Sequence, residues 1–391
     1  MVMPPFSLST FTAGIIAPLV GFAGTVAIVI AAAQAVGATP GQTISWLAAI
    51  SLAQAISGMA LTWRYKMPII IAWSTPGAAL IAATGGTITM PAAVGAFMLV
   101  AVLIIATGLV RPIGDLVARI PPGIASAMLA GVLFKFVADV VLAAPGAPLL
   151  VLPLVVIFLV ARLVHPASAM LVVVAMGVGL TYALGLAGPL PGDLGLARLE
   201  WVTPSFEAGA LIGLGLPLYL VTMAAQNLPG LAVLRANGYN PPVGPVLTVT
   251  GIASLVSAPF GAHTSNLAAI TAAICAGPDA HPDRAKRWPA GIVYGLAFIL
   301  LAAFADPFVA LFGAMPKALI TTIAGLALAG ALMGALSIAM GDDKTRFPAI
   351  LSFATAASGV SVLGVGAAFW GLAIGLVALG VERLCHKIGI G

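Results

Sequence analysis

Residues Ala258–Gly277 read APFGAHTSNLAAITAAICAG. Apolar residues lead in and apolar residues lead out. Between them stand His263, Thr264, Ser265 and Asn266. The whole chain of 391 residues has only 4 histidines. A polar quartet inside a lipid-like run is costly unless it is buried in protein or lines a cavity.

The surroundings set the class. Hydrophobic residues make up 61% of the chain and charged residues 7%, where a soluble domain has about 25% charged residues. Long apolar runs recur with short loops between them, the pattern of an all-α polytopic membrane protein. The opening MVMPPFSLST holds no Lys or Arg, so no secretory signal of the usual pattern is expected. The net charge of +5 is scattered over short loops and gives no basic patch for nucleic acid. Cys275 and Cys385 are too few and too far apart for a disulfide framework or a metal site.

Fourteen apolar segments can be read, near 12–36, 43–63, 67–85, 91–110, 121–142, 147–163, 167–187, 206–228, 242–258, 260–276, 287–305, 316–340, 347–364 and 366–384. The third and tenth fall short of the roughly 20 residues of a full span. With a cytoplasmic N-terminus, 13 of the 16 basic residues fall in cytoplasmic loops or the C-terminus. Arg198 falls outside, and Lys135 and Lys317 lie in or beside spans. The positive-inside rule therefore expects both termini in the cytoplasm.

Internal similarity points to a duplication. PGIASAMLAGVL from Pro122 matches PKALITTIAGLA from Pro316. Gln34 of span 1 has a counterpart in Gln226 of span 8, and WSTPGAALIAA around Thr75 has one in AHTSNLAAITAA around Thr264. The repeat is thus about seven spans long. An odd number makes the second copy cross the membrane the other way, an inverted repeat of the kind secondary transporters use.

The third and tenth spans then read as extended segments followed by half helices. Ser74-Thr75-Pro76-Gly77 is helix-start chemistry: a hydroxyl caps and Pro occupies the first turn. In span 10, Pro259 and Gly261 break the chain, and Thr264 or Ser265 is expected to cap a helix from about Asn266. Two facing helix N-termini offer N–H donors and positive partial charge, so the pair is expected to hold a carboxylate. The expected substrate-binding set is Gln34, Ser74, Thr75, Gly77, Gln226, Asn227, Thr264, Ser265 and Asn266. Trp73 is a candidate aromatic wall, and Tyr219 and Thr222 precede Gln226 on span 8. Thr222 lies four residues before Gln226, on the same face if the helix is regular. His263, next to the proposed anion, is the candidate proton carrier.

The stretch VTMAAQNLPGLAVLRANGYNPPVGPVLTVTGIASLVSAPFGAHTSNLAAITAAICAGPDAHPD closely resembles the benzoate/proton symporter (BenE) family, above all in QNLPGLAVLR and PFGAH…NLAAITAAIC. The resemblance runs over essentially the whole chain. It implies the architecture of nucleobase and sulfate transporters, with seven plus seven spans, a core domain and a gate domain. The core would comprise 1–112 and 205–305, and the gate 113–190 and 306–391. The substrate would lie between half helices 3 and 10. Nucleobase relatives carry a glutamate on span 8 where this chain has Gln226, a change that suits an anionic substrate. The residues after His263, Thr264-Ser265, depart from the family pattern, which leaves the identity of the acid open.

The resemblance therefore implies a bacterial inner-membrane symporter that imports an aromatic carboxylate, benzoate above all, with protons. Importing a monoanion against a negative-inside potential costs about 2.3 kcal/mol per 100 mV, and one proton cancels the charge. The expected partners are the small carboxylate, protons and membrane lipid, with a homodimer as a further possibility; no cofactor, metal or nucleic acid is expected. Alternatives are another small organic anion, a nucleobase-like substrate or an uncoupled anion channel. An enzyme is not expected, because the histidines are dispersed and no HExxH occurs.

Overall fold

The computed structural model describes residues 7–84, 86–110, 121–192, 194–362 and 365–387. The first half runs α1 (Leu8–Ala35), α2 (Pro40–Tyr65), β1 (Ile71–Trp73), α3 (Thr75–Ala82), α4 (Met90–Leu109), α5 (Pro122–Ala143), α6 (Pro148–Val164) and α7 (Ala169–Ala183). The second half runs α8 (Ala208–Ala236), α9 (Val243–Ser257), β2 (Ser265–Leu267), α10 (Ile270–Ala276), α11 (Pro289–Ala303), α12 (Ala305–Gly313), α13 (Lys317–Ala339), α14 (Arg346–Ala357) and α15 (Ala367–Lys387). The loop carrying Arg111 and Arg119 lies outside the described residues.

The molecule is a helical polytopic membrane protein. Among the described residues, 9 helices are long and apolar enough to cross a membrane. The remaining apolar segments are shorter: α6, α7, α14 and the two strand-plus-helix pieces. Helix starts follow local chemistry. Ser7 accepts from Thr10 N at the head of α1. Thr39 and Gln42 form a capping box on α2, with Pro40 in its first turn.

Two span ends differ from the sequence reading by more than a few residues. Span 8, expected over 206–228, continues to Ala236. Pro217 and Pro229 do not end it, because each follows a π-helical stretch, Leu211–Gly215 and Met223–Asn227. The wider turn changes the hydrogen-bond partner just where a proline has no N–H to give. Span 13, expected to run to 364, stops at Ala357. Gly359 there takes φ +67°, the left-handed conformation that commonly ends a helix.

Packing is heaviest within two groups, which also touch through α1 on α7 and α13 and through α3 on α5. α1 packs on α3 and α11, α2 on α11, and α4 on α9. Separately, α5 packs on α13 and α14, α14 on α15, and α6 on α7. The α5–α13 crossing is close: a methyl at Gly325 would collide with the Phe136 carbonyl and Val140. Small residues of this kind let membrane helices approach.

Candidate functional site

The two broken segments meet as a pair of antiparallel strands. Ile71 faces Leu267, Ala72 faces Asn266 and Trp73 faces Ser265. Ser74 N donates to Thr264 O at 3.2 Å, and Ala268 N donates to Ile70 O at 2.9 Å. Like any antiparallel pair, this register carries a local two-fold. A shift of 194 residues carries Ile71 onto Ser265 and Trp73 onto Leu267, so the outer pairs exchange. The same shift exchanges the two flanking hydrogen bonds and maps the Ala72–Asn266 pair onto itself. The crossing is therefore locally two-fold.

Helix α3 starts as its residues dictate. Ser74 is the N-cap, its hydroxyl accepts from Gly77 N at 3.0 Å, and Pro76 sits in the first turn. The Gly77 amide is thus occupied, and Pro76 has none to offer. Helix α10 does not start where expected. It begins at Ile270 after Ala269, with no side-chain cap. Thr264, Ser265 and Asn266 are not its cap, because Ser265 and Asn266 are held in the paired strand and Thr264, just before it, accepts from Ser74 N.

The quartet His263–Asn266 instead ties the crossing to its supports. Trp46 Nε1 donates to His263 Nδ1 at 3.0 Å. Indole nitrogen only donates, so the histidine proton sits on Nε2 and is given to Ser74 O at 3.1 Å. The Thr264 hydroxyl bonds the Thr222 hydroxyl at 3.0 Å. Ser265 N donates to Ser254 Oγ at 2.9 Å, and Leu267 N donates to Asn227 Oδ1 at 3.1 Å. The Asn266 amide donates to Leu267 O at 3.1 Å. Each side chain of the quartet is fully buried.

A cavity of about 540 Å³ lies against this crossing. One wall is aromatic. Trp73, Tyr294 and Phe298 line it, Trp73 meets Phe298 edge to face at 5.8 Å, and Tyr294 lies 4.9 Å from Phe298. The Trp73 indole is fixed by donating to Thr25 Oγ1 at 2.8 Å. The first turns of both half helices reach the cavity, through Thr75 and Pro76 of α3 and through Ala269, Ile270 and Thr271 at the head of α10.

Of the expected site residues, the structure brings Thr75 and Gln226 to the cavity wall. Ser74, Gly77, Asn227, His263, Thr264, Ser265 and Asn266 form the scaffold around it and are not among its lining residues. Gln34 stands apart. It occupies the exposed last turn of α1, not mid-span, and is not among the lining residues of the cavity.

Sequence reasoning missed Gln54. It lies on α2, lines the cavity and is fully buried, and neither its Oε1 nor its Nε2 has a hydrogen-bond partner. An unsatisfied buried amide costs about 1–3 kcal/mol, so a group of this kind calls for a ligand or a water. The signal was present as Ser51, Gln54, Ser57 and Gly58, small and polar residues at helical spacing inside an apolar span.

Comparison with known proteins fits this geometry. The profile of the family described as "Benzoate membrane transport protein" matches residues 4–381. The chain belongs to that family. It is 39% identical over 373 residues to the benzoate membrane transport protein of Acinetobacter baylyi (strain ATCC 33305 / BD413 / ADP1), covering 95% of each chain. It is 37% identical over 377 residues to the inner membrane protein YdcO of Escherichia coli (strain K12), covering 96% of each. Among solved structures, the transmembrane domain of the cyanobacterial bicarbonate transporter BicA superposes with TM-score 0.57 at 15% identity, covering 96% of both chains. SLC26A9 superposes with TM-score 0.65 at 13% identity, covering 96% of this chain and 65% of that one. These two show a shared transporter fold. Membership of the benzoate membrane transport family makes the chain a multi-pass membrane transporter, not an enzyme.

Proposed function

We propose that this protein imports benzoate or a close aromatic carboxylate together with a proton, by alternating access. The observation that carries the reading is the cavity: an aromatic wall beside two amide side chains, Gln54 and Gln226, and the first turns of two half helices. The aromatic ring would lie against Trp73, Tyr294 and Phe298. The carboxylate would take hydrogen bonds from the two amides and from the Thr75 backbone N–H at the head of α3. Hydrogen bonds to a charged group are worth about 1.5–3 kcal/mol each.

In this reading the chain has fourteen membrane segments in two inverted sets of seven. The order of the first six segments supports it, with long, long, broken, long, long and short elements in each half once α12 is set aside; the seventh differs, α7 being short and α15 long. The core is α1–α4 with α8–α11, and the gate is α5–α7 with α13–α15, following the two packing groups. The basic-residue bias supports cytoplasmic termini.

His263 now has a specific part. A second proton, on Nδ1, would confront the Trp46 N–H, donor against donor. His263 carries the symported proton only if the Trp46 bond opens; otherwise it is a strut and the proton rides on the carboxylate. The His263→Gln variant separates the two. A carrier histidine predicts intact benzoate counterflow with no acceleration by an inward proton gradient. A strut predicts that any flux left keeps its gradient dependence.

The test of the reading as a whole is uptake of labelled benzoate into proteoliposomes. Saturable, gradient-driven uptake with counterflow is expected, together with a rise in melting temperature on adding benzoate. Large currents without counterflow would make the protein a channel instead.

A further inference from the structure

Among the described residues, Arg162 is the only charged one in the cavity lining. It sits in the last turn of α6, half-buried. Pro166, four residues on from Arg162, and Ile338, five residues on from its neighbour Met333, are both exposed and line the cavity too. The cavity therefore extends from the strand crossing to the helix ends around Arg162.

The surroundings of the guanidinium leave its charge uncompensated. Its Nη2 lies 4.0 Å from Met333 Sδ, and its centre is 6.0 Å from the Phe158 ring. Among the described residues the only ion pair is Arg346 with Asp343, so no carboxylate answers Arg162. A cation kept beside an apolar cavity is expensive without a partner. An arginine that merely snorkels turns its head away to the lipid–water boundary; this one lines the cavity.

We infer that Arg162 is a second station for the carboxylate, on the gate side at the mouth of the cavity. The inference rests on the carboxylate-transport reading above. A guanidinium presents a planar fork that matches both oxygens of a carboxylate, and Phe158 offers a ring beside it for an aromatic substrate. The central amides Gln54 and Gln226 belong to the core, whereas Arg162 belongs to the gate. When the two groups move past each other, the central site leaves Arg162 behind. The attraction is therefore confined to one face of the membrane, the face that the basic-residue bias assigns to the cytoplasm. The station draws the anion at that face without tightening the central site.

The experiment measures benzoate counterflow in right-side-out and inside-out vesicles for wild type, Arg162→Gln and Arg162→Lys. The half-saturating benzoate concentration at the cytoplasmic face should rise about tenfold in Arg162→Gln, the equivalent of about 1.4 kcal/mol, with Arg162→Lys in between. At the external face it should stay within about twofold, as expected for a charge contact made on one side only. Should Arg162→Gln fail to fold, Arg162→Cys in a Cys385→Ser background serves, because a cationic thiol adduct must restore the cytoplasmic value and an anionic one must not. Unchanged values at both faces, or equal rises at both, overturn the gate-side station. A wild-type protein that binds and carries no benzoate overturns the transport reading itself.

Discussion

In the first broken segment Ser74 caps α3 through Gly77 N, and its own N–H reaches across to Thr264. In the second, Ala268 makes the mirror bond to Ile70, yet no hydroxyl caps α10. The backbones obey one local symmetry while the side chains divide the labour. The first segment spends its hydroxyl on its own helix start. The second spends His263 and Thr264 on tying the crossing to its supports, and leaves the head of its helix bare beside the cavity. A symmetric scaffold thus carries an asymmetric site.

Support for the two strands is the sharpest place to break this comparison. A methyl at Gly230 would come 2.5 Å from Leu267 Cβ and 2.9 Å from Ala268 O, whereas one at Gly58 would meet Ile71 Cγ1 at 3.5 Å. Gly230→Ala should cost about 1–3 kcal/mol through overpacking. Gly58→Ala should be neutral or gain up to about 1 kcal/mol, as glycine replacement within a helix does. Melting temperatures in detergent check the pair, and equal losses would erase the asymmetry.

The amides come next. Gln54→Leu removes two unsatisfied polar atoms, so the ligand-free protein should be no less stable. Its stabilisation by benzoate should nevertheless drop, with affinity weakened by about 1–3 kcal/mol if a hydrogen bond to the carboxylate is lost. Gln226→Ala should weaken binding to a similar degree. Calorimetric titration reads both, and wild-type affinity in each would remove the amides from the site.

The smallest effects concern the hydroxyls. Ser74→Ala should cost about 1 kcal/mol as a lost helix cap. Ser265→Ala should stay within about 0.5 kcal/mol, because Ser265 Oγ has no partner. A larger loss at Ser265 than at Ser74 would reverse the assignment of roles.

Much of this arrangement is legible in the residues. The broken third and tenth spans, and the cap on α3, follow from Ser, Thr, Pro and Gly in local order. The strand pairing is not, because three-residue strands carry no periodicity and their partners lie nearly two hundred residues apart in sequence. That pairing is what moved the start of α10 to Ile270. Gln34 misled because it resembled Gln226 in type while lying at a helix end. Gln54 escaped notice because its significance lies in the cavity it faces, which no stretch of sequence around it describes.

The π-helical stretch Met223–Asn227 amounts to one residue spliced into α8. It introduces a phase slip of about 100° between the faces before and after it, one residue's share of a turn. Tyr219 and Gln226 are seven apart and would share a face on an unbroken helix. Instead the Tyr219 hydroxyl meets Thr107 of α4, while Gln226 lines the cavity. Thr222, four residues before Gln226, likewise turns to Thr264. One helix thus addresses three neighbours without bending its sequence pattern into view, and a wheel drawn on a constant pitch sorts its residues onto the wrong sides.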